Sequence, residues 1–213
     1  NNIRTAEDYG KEEKWDTVWF SQWEPAEKST QYAHDCYVYR FGTRLDKNGE
    51  DTTNYNIEDV DKTTLPDFNL LVGGFPCQDF SVAGKRKGFN SHKTHKNKTL
   101  FDAPTIESRG MLYYWLREAI DIIRPKIFIA ENVKGLVSMG EVKEIIANDF
   151  KNSGGGYVVL EPRVLHAGDY GVPQSRERVI FIGVRKDLLG SDAVQKLLNN
   201  EIELYPKPTH DTK

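Results

Sequence analysis

Apolar residues fall into two kinds of run along this chain. Phe68-Asn69-Leu70-Leu71-Val72 and Lys126-Ile127-Phe128-Ile129-Ala130 are short and dense, and read as buried parallel strands. Thr17-Val18-Trp19-Phe20-Ser21 reads as the first strand of the set. Elsewhere the spacing lengthens to that of a helix. Ala33, Tyr37 and Phe41 form one stripe of a helix predicted over 26–41, with Pro25 at its start, Gly42 as its stop and Cys36 as a packed core thiol. Leu112, Trp115, Leu116, Ala119, Ile120 and Ile123 make the apolar face of a helix running from Arg109 to Arg124, where Pro125 ends it. Val142, Ile145, Ile146 and Phe150 do the same for 139–151. Tyr157–Leu165 and Val179–Val184 are strands separated by so short a stretch that an antiparallel hairpin at the sheet edge is expected. The alternation predicts an α/β fold of the Rossmann kind: a mostly parallel sheet, helices on both faces and an antiparallel edge hairpin.

Composition narrows the class. The chain has 213 residues, 38% hydrophobic and 29% charged, enough for one domain with a sizeable core. A net charge of -3 excludes attachment to nucleic acid by global charge and leaves that task to local basic patches. No apolar run is long enough to span a membrane, and the polar N-terminal stretch is unlike a signal peptide. Two cysteines, Cys36 and Cys77, make no disulfide framework and fit a reducing cytoplasm. No Cys/His cluster has zinc-ligand spacing, so no metal is expected.

The candidate chemistry gathers at strand ends. Gly73 and Gly74 are expected to break the strand that begins at Phe68, and Pro76 stiffens the loop that presents Cys77. A cysteine there is either a nucleophile or an inert small side chain. Glu131-Asn132 stands at the tip of the next strand, where an acid suits proton transfer and burial would let it carry a proton at neutral pH; an ordinary helix-initiating pair is the plainer alternative. Arg176 and Arg178 are two apart, so on a strand they share a face and can converge on a carbonyl, an acid or a phosphate. Glu24 follows the first strand, where a Rossmann acid holds ribose hydroxyls; a surface glutamate fits equally. From Gly84 to Lys98 there are six Lys/Arg and no acids, which makes either a solvated loop or a phosphate contact.

Three segments in order carry a resemblance. Gly-Phe-Pro-Cys-Gln with Phe80-Ser81, then Glu131-Asn132-Val133, then Gln174-Ser175-Arg176-Glu177-Arg178 resemble the signatures of the DNA (cytosine-5) methyltransferases of bacterial restriction-modification type. The resemblance covers roughly residues 17 to 210. It implies a methyltransferase-type Rossmann fold and transfer of a methyl group from S-adenosylmethionine to carbon 5 of cytosine in double-stranded DNA. It further implies Cys77 as nucleophile on a flipped-out base, with Pro76, Glu131, Asn132, Arg176 and Arg178 completing the catalytic set. Trp23, Glu24, Asp59, Val60 and Leu112 match cofactor contacts, with Asp59-Val60 serving the adenine; Leu112 also suits plain core. Ser81, Lys85, Arg86 and Lys87 match the loop that closes over DNA, although the stretch around 91–107 is longer than the family's usual one.

The same resemblance implies a cytoplasmic, nucleoid-associated bacterial enzyme paired functionally with a cognate restriction endonuclease. Residues 1–213 are expected to be a single, partial catalytic domain. The family's upstream Gly-rich cofactor turn, target-recognition region and final helix have no counterpart in the sequence, so weak cofactor binding and little turnover are expected of the piece alone. Two other readings stay open: methylation of cytosine in transfer RNA, and a non-catalytic DNA-associated relative.

Overall fold

The computed structural model describes residues 16–23, 30–75, 113–138 and 142–210. Contacts gather into two units, Asn1–Phe68 and Asn69–Lys213.

In the first unit the organising element is helix α1, Tyr32–Phe41. His34 is buried and Tyr37 half-buried, one position off the expected stripe at Ala33, while Phe41 is exposed: the Tyr37 ring centroid lies 4.1 Å from that of Phe20 and 4.6 Å from that of Phe41. Gln31 lies outside helical geometry (φ -94°, ψ 64°), so this helix begins at Tyr32, and 26–29 of the predicted span lie outside the described residues. Cys36 is exposed, correcting the expectation of a core thiol, because the register that buries His34 turns residue 36 outward. His34 is held by Thr53, whose hydroxyl lies 2.9 Å from Nε2. Residues 17–21 form no strand. Their neighbourhood is tied instead by single bonds, Gln22 N–H to the Thr53 carbonyl (2.9 Å) and Trp19 Nε1–H to the Thr52 hydroxyl (3.3 Å). An apolar run becomes a strand only where a partner supplies a ladder.

Among the described residues the second unit holds a five-stranded mixed sheet. Strand β1 is Leu70–Gly74, and helix α2, Tyr113–Ile123, precedes β2, Ile127–Val133. Helix α3, Val142–Asn152, leads to β3, Tyr157–Val159, then β4, Arg163–His166, and β5, Glu177–Arg185. Helix α4, Ser191–Leu198, follows. The order is β1-β2-β5-β3, with β4 also on β5. Among the described residues β1 and β2 pair in parallel, while β5 runs antiparallel to β2, β3 and β4. The expected single strand 157–165 is two, interrupted around Pro162, which has no N–H to give a ladder. The hairpin of β4 and β5 is present, but only β4 lies at the edge; β5 is interior, bonded on both sides.

Helices cover both faces, as the pattern predicts. Tyr113 and Ile120 of α2 and Ile146 and Phe150 of α3 pack on Phe128, Ala130, Val179 and Phe181. Leu197 of α4 and Tyr205 pack on Val158 and Ile182 of the opposite face. Phe128 sits directly across from Gly183, and its ring fills the space where a side chain at 183 would stand. No helix among the described residues is long and apolar enough to cross a membrane.

Candidate active site

Gly73 and Gly74 do not break β1. They continue it, opposite Ala130 and Glu131 of β2. A β-carbon at Gly73 would lie 2.8 Å from Leu116 Cδ1, and one at Gly74 would lie 3.1 Å from Glu131 Oε2. The glycines therefore serve close approach on either side of the strand, not a turn. Phe75 follows and is buried in the α2/α3 core. Pro76 and Cys77 come next in the sequence and lie outside the described residues, as do Glu24, Ser81, Lys85, Arg86, Lys87 and Leu112.

At the carboxyl end of β2, neighbouring residues take opposite faces. Glu131 shares its face with Ile129, and with Ile180 across on β5. Arg178 reaches it diagonally, with Nε 2.6 Å from Oε1, and Arg176 Nη2 lies 3.4 Å from the same oxygen. The two arginines thus converge as their spacing predicts, and their target is the acid. Arg178 is further fixed by donating from Nη1 to the Glu177 carbonyl at 2.9 Å. Glu131 remains 32% exposed and is ion-paired. The acid is thus partly exposed where burial was expected, with two guanidiniums against it.

Asn132 faces the other way and is 1% exposed. Its Oδ1 accepts from Val133 N–H at 2.8 Å and its Nδ2 donates to the Phe75 carbonyl at 3.4 Å. It fastens the end of β2 to Phe75, the last described residue before Pro76-Cys77, from the face opposite Glu131.

The loop carrying Arg176 is anchored by the tail, residues 205–210. Tyr205 is 5% exposed, and its hydroxyl donates to the carbonyls of Glu161 (3.1 Å) and Ile180 (2.9 Å). Burial pushes its phenol up to about 12. Thr209 and His210 N–H both donate to the Asp169 carbonyl, at 2.9 and 3.0 Å, and Tyr170 donates to the Pro206 carbonyl at 3.2 Å. Gly171, at φ +79°, lies against the His210 ring; a β-carbon there would be 2.7 Å from Cε1. An open cleft of about 430 Å³ lies here, lined by His166, Gly171, Gln174 and His210 among others. A tyrosine followed by Pro-Lys-Pro is the sequence sign of such an extended strap, since prolines favour extended backbone.

Of the cofactor set, Trp23, Asp59 and Val60 are described, all in the first unit. Trp23 is half-buried. Asp59 is exposed on a turn closed by its own N–H to the Asn56 carbonyl (2.8 Å), and its carboxylate has no partner among the described residues. It fits an incoming N–H donor. Val60 is 4% exposed, so most of its side chain is already engaged in the core.

The model of the C-5 cytosine-specific DNA methylase family matches residues 9–212. The type II methyltransferase M.PspPI of Psychrobacter sp. is 43% identical over 144 residues, covering 66% of this chain and 30% of that protein. M.BspRI of Lysinibacillus sphaericus is 40% identical over 162 residues, covering 75% and 33%. M.HhaI of Haemophilus parahaemolyticus is 31% identical over 173 residues, covering 80% and 43%. The chain thus spans less than half the length of these relatives. The S. pombe Dnmt2 methyltransferase structure shares the fold, with a TM-score of 0.50, 15% identity, and coverage of 95% of this chain and 52% of that one. On the match of nearly its whole length, the chain belongs to the C-5 cytosine-specific DNA methylase family.

Proposed function

We propose that this chain carries the reacting groups for methylation of cytosine at carbon 5 in double-stranded DNA. The observation that supports it most is the Glu131 carboxyl held by Arg178 and Arg176 at the end of β2, beside the strand that leads into Pro76-Cys77. Carbon 5 of cytosine is too weak a nucleophile to be methylated directly. The Cys77 thiolate adds at carbon 6, and the ring becomes an enamine whose carbon 5 is nucleophilic. Charge develops at ring nitrogen 3, and Glu131 gives a proton there. Its own negative charge after transfer is balanced by the two guanidiniums. S-adenosylmethionine, when bound, supplies the methyl group that carbon 5 takes. Loss of the carbon 5 proton, expulsion of the Cys77 thiolate and return of the nitrogen 3 proton to Glu131 restore the ring.

On the cofactor side, Asp59 offers an acceptor and Trp23 an aromatic surface; Glu24, Val60 and Leu112 complete the set by resemblance. The target base lies inside the duplex and must be flipped out. Ser81, Lys85, Arg86 and Lys87 are the phosphate contacts that would hold the opened duplex. The type II names of the relatives support a functional pairing with a cognate restriction endonuclease.

The test is covalent trapping. The chain is incubated with S-adenosylmethionine and duplex DNA carrying 5-fluorocytosine, which blocks the last proton loss, and intact mass is measured. A stable adduct that vanishes in Cys77→Ser is expected. An adduct that survives this substitution overturns the assignment of the nucleophile, and an adduct formed on transfer RNA but not on DNA overturns the substrate.

A further inference from the structure

Gly74 has no backbone reason to be glycine. Its φ is not in the left-handed region, and the residue sits within a regular parallel ladder, exposed and away from the core. Any strand-forming residue would satisfy that position better, since glycine weakens a strand through its entropy and its lack of a side chain to pack. What the position does require is emptiness toward its register partner. In a parallel pair, partner residues project to the same face, and here the partner is Glu131. A β-carbon at 74 would stand 3.1 Å from Glu131 Oε2, closer than ordinary van der Waals contact, while Oε1 of the same carboxyl is the oxygen that both arginines hold. The carboxyl thus has guanidiniums on one side and a missing side chain on the other. Displacing Oε2 by a few tenths of an ångström rotates the planar group and moves Oε1 with it.

We propose that Gly74 is a positioning residue for Glu131: the absent side chain is the space in which the carboxyl lies while Arg178 and Arg176 hold it. The inference rests on the reading of Glu131 as the proton donor, but its geometric content can be tested without activity. Gly73 is the built-in control. A β-carbon at Gly73 meets the flexible end of Leu116 on the other face, so Gly73→Ala disturbs β1 without touching Glu131.

The experiment compares Gly74→Ala, Gly73→Ala and the double variant Gly74→Ala/Glu131→Asp by crystallography and by the rate of adduct formation. In Gly74→Ala the Arg178 Nε to Glu131 Oε1 contact is expected to lengthen by a few tenths of an ångström, and the rate to fall roughly 10-fold, short of the 100-fold loss that a displacement of about 1 Å brings. In Gly73→Ala the contact persists and the rate changes less than about threefold. The shorter acid of the double variant leaves room for the new methyl group, so its rate exceeds that of Glu131→Asp combined independently with Gly74→Ala. A Gly74→Ala structure that keeps the 2.6 Å contact overturns the proposal. If Gly74→Ala does not fold, the double variant decides: folding restored by Glu131→Asp supports the steric conflict, and failure of both overturns it. A parent chain that forms no adduct refutes the functional reading, and the crystallographic arm still judges the role of Gly74.

Discussion

Arg178 Nε and Glu131 Oε1 lie 2.6 Å apart across two antiparallel strands, as diagonal neighbours and not as a register pair. Arg176 reaches the same oxygen at 3.4 Å from the loop before β5. The difference in distance ranks the two. Arg178→Ala is expected to slow adduct formation about 100-fold, comparable to removing one aligned donor from a reacting centre, and Arg176→Ala about 10-fold. Arg178→Lys keeps the charge but not the planar fork and recovers only part of the loss. Rates from time-resolved intact mass check the order; equal losses at the two positions count against it.

Asn132 is held by two hydrogen bonds in a buried position, so its substitution should be read first in stability. Asn132→Ala leaves the Phe75 carbonyl and the Val133 N–H without their buried partner, a loss of about 1–3 kcal/mol. Urea unfolding measures it. Adduct formation per folded molecule should fall less than for Arg178→Ala.

Two buried tyrosines set an alkaline limit. Burial pushes the phenols of Tyr157 and Tyr205 up to about 12, above the ordinary value of 10.0. Because the folded-state value is the higher one, the stabilisation is complete below pH 10 and is lost as pH rises toward 12. Tyrosinate absorbance and unfolding should therefore rise together in that window. Tyr205→Phe removes one ionising group and flattens the alkaline slope, although the loss of its bonds to Glu161 and Ile180 lowers stability at neutral pH.

Gly183 and Gly190 separate a glycine needed for space from one that is not. A β-carbon at Gly183 would lie 2.1 Å from Phe128 Cε1, within a rigid ring held by the core, whereas one at Gly190 meets nothing within 4 Å. Gly183→Ala is expected to cost about 3 kcal/mol by overpacking, and Gly190→Ala to stay within about 0.5 kcal/mol, by chemical denaturation. Similar values at both positions would refute the packing argument.

Much of this architecture was legible before any coordinates. The dense runs around Leu70 and Phe128 are strands, the 3.6-residue stripe ending at Ile123 is a helix, and the two-residue spacing of Arg176 and Arg178 does bring both onto one acid. What failed depended on partners that local pattern does not contain. Thr17–Ser21 has the composition of a strand but no ladder. Cys36 has the character of a core residue, but a shift of the helix stripe by one position places His34 inside in its stead. Gly73-Gly74 was taken for a turn because glycine permits one. Its use here is room for Leu116 and Glu131, residues more than forty positions away. The anchoring role of 205–210 was not legible for the same reason: it lies in bonds to Glu161, Asp169 and Ile180.

The opposed directions of Glu131 and Asn132 have a consequence for how chains of this kind can vary in length. Because successive strand residues alternate faces, inserting or deleting one residue within 127–133 would exchange the two, sending the acid into the core and the amide toward the arginines. Length changes inside this strand are tolerable only in pairs, whereas the Gly154–Gly156 turn and the bend around Pro162 can absorb single ones. Homologous chains should therefore show odd-numbered gaps at those two bends and none between Ile127 and Val133.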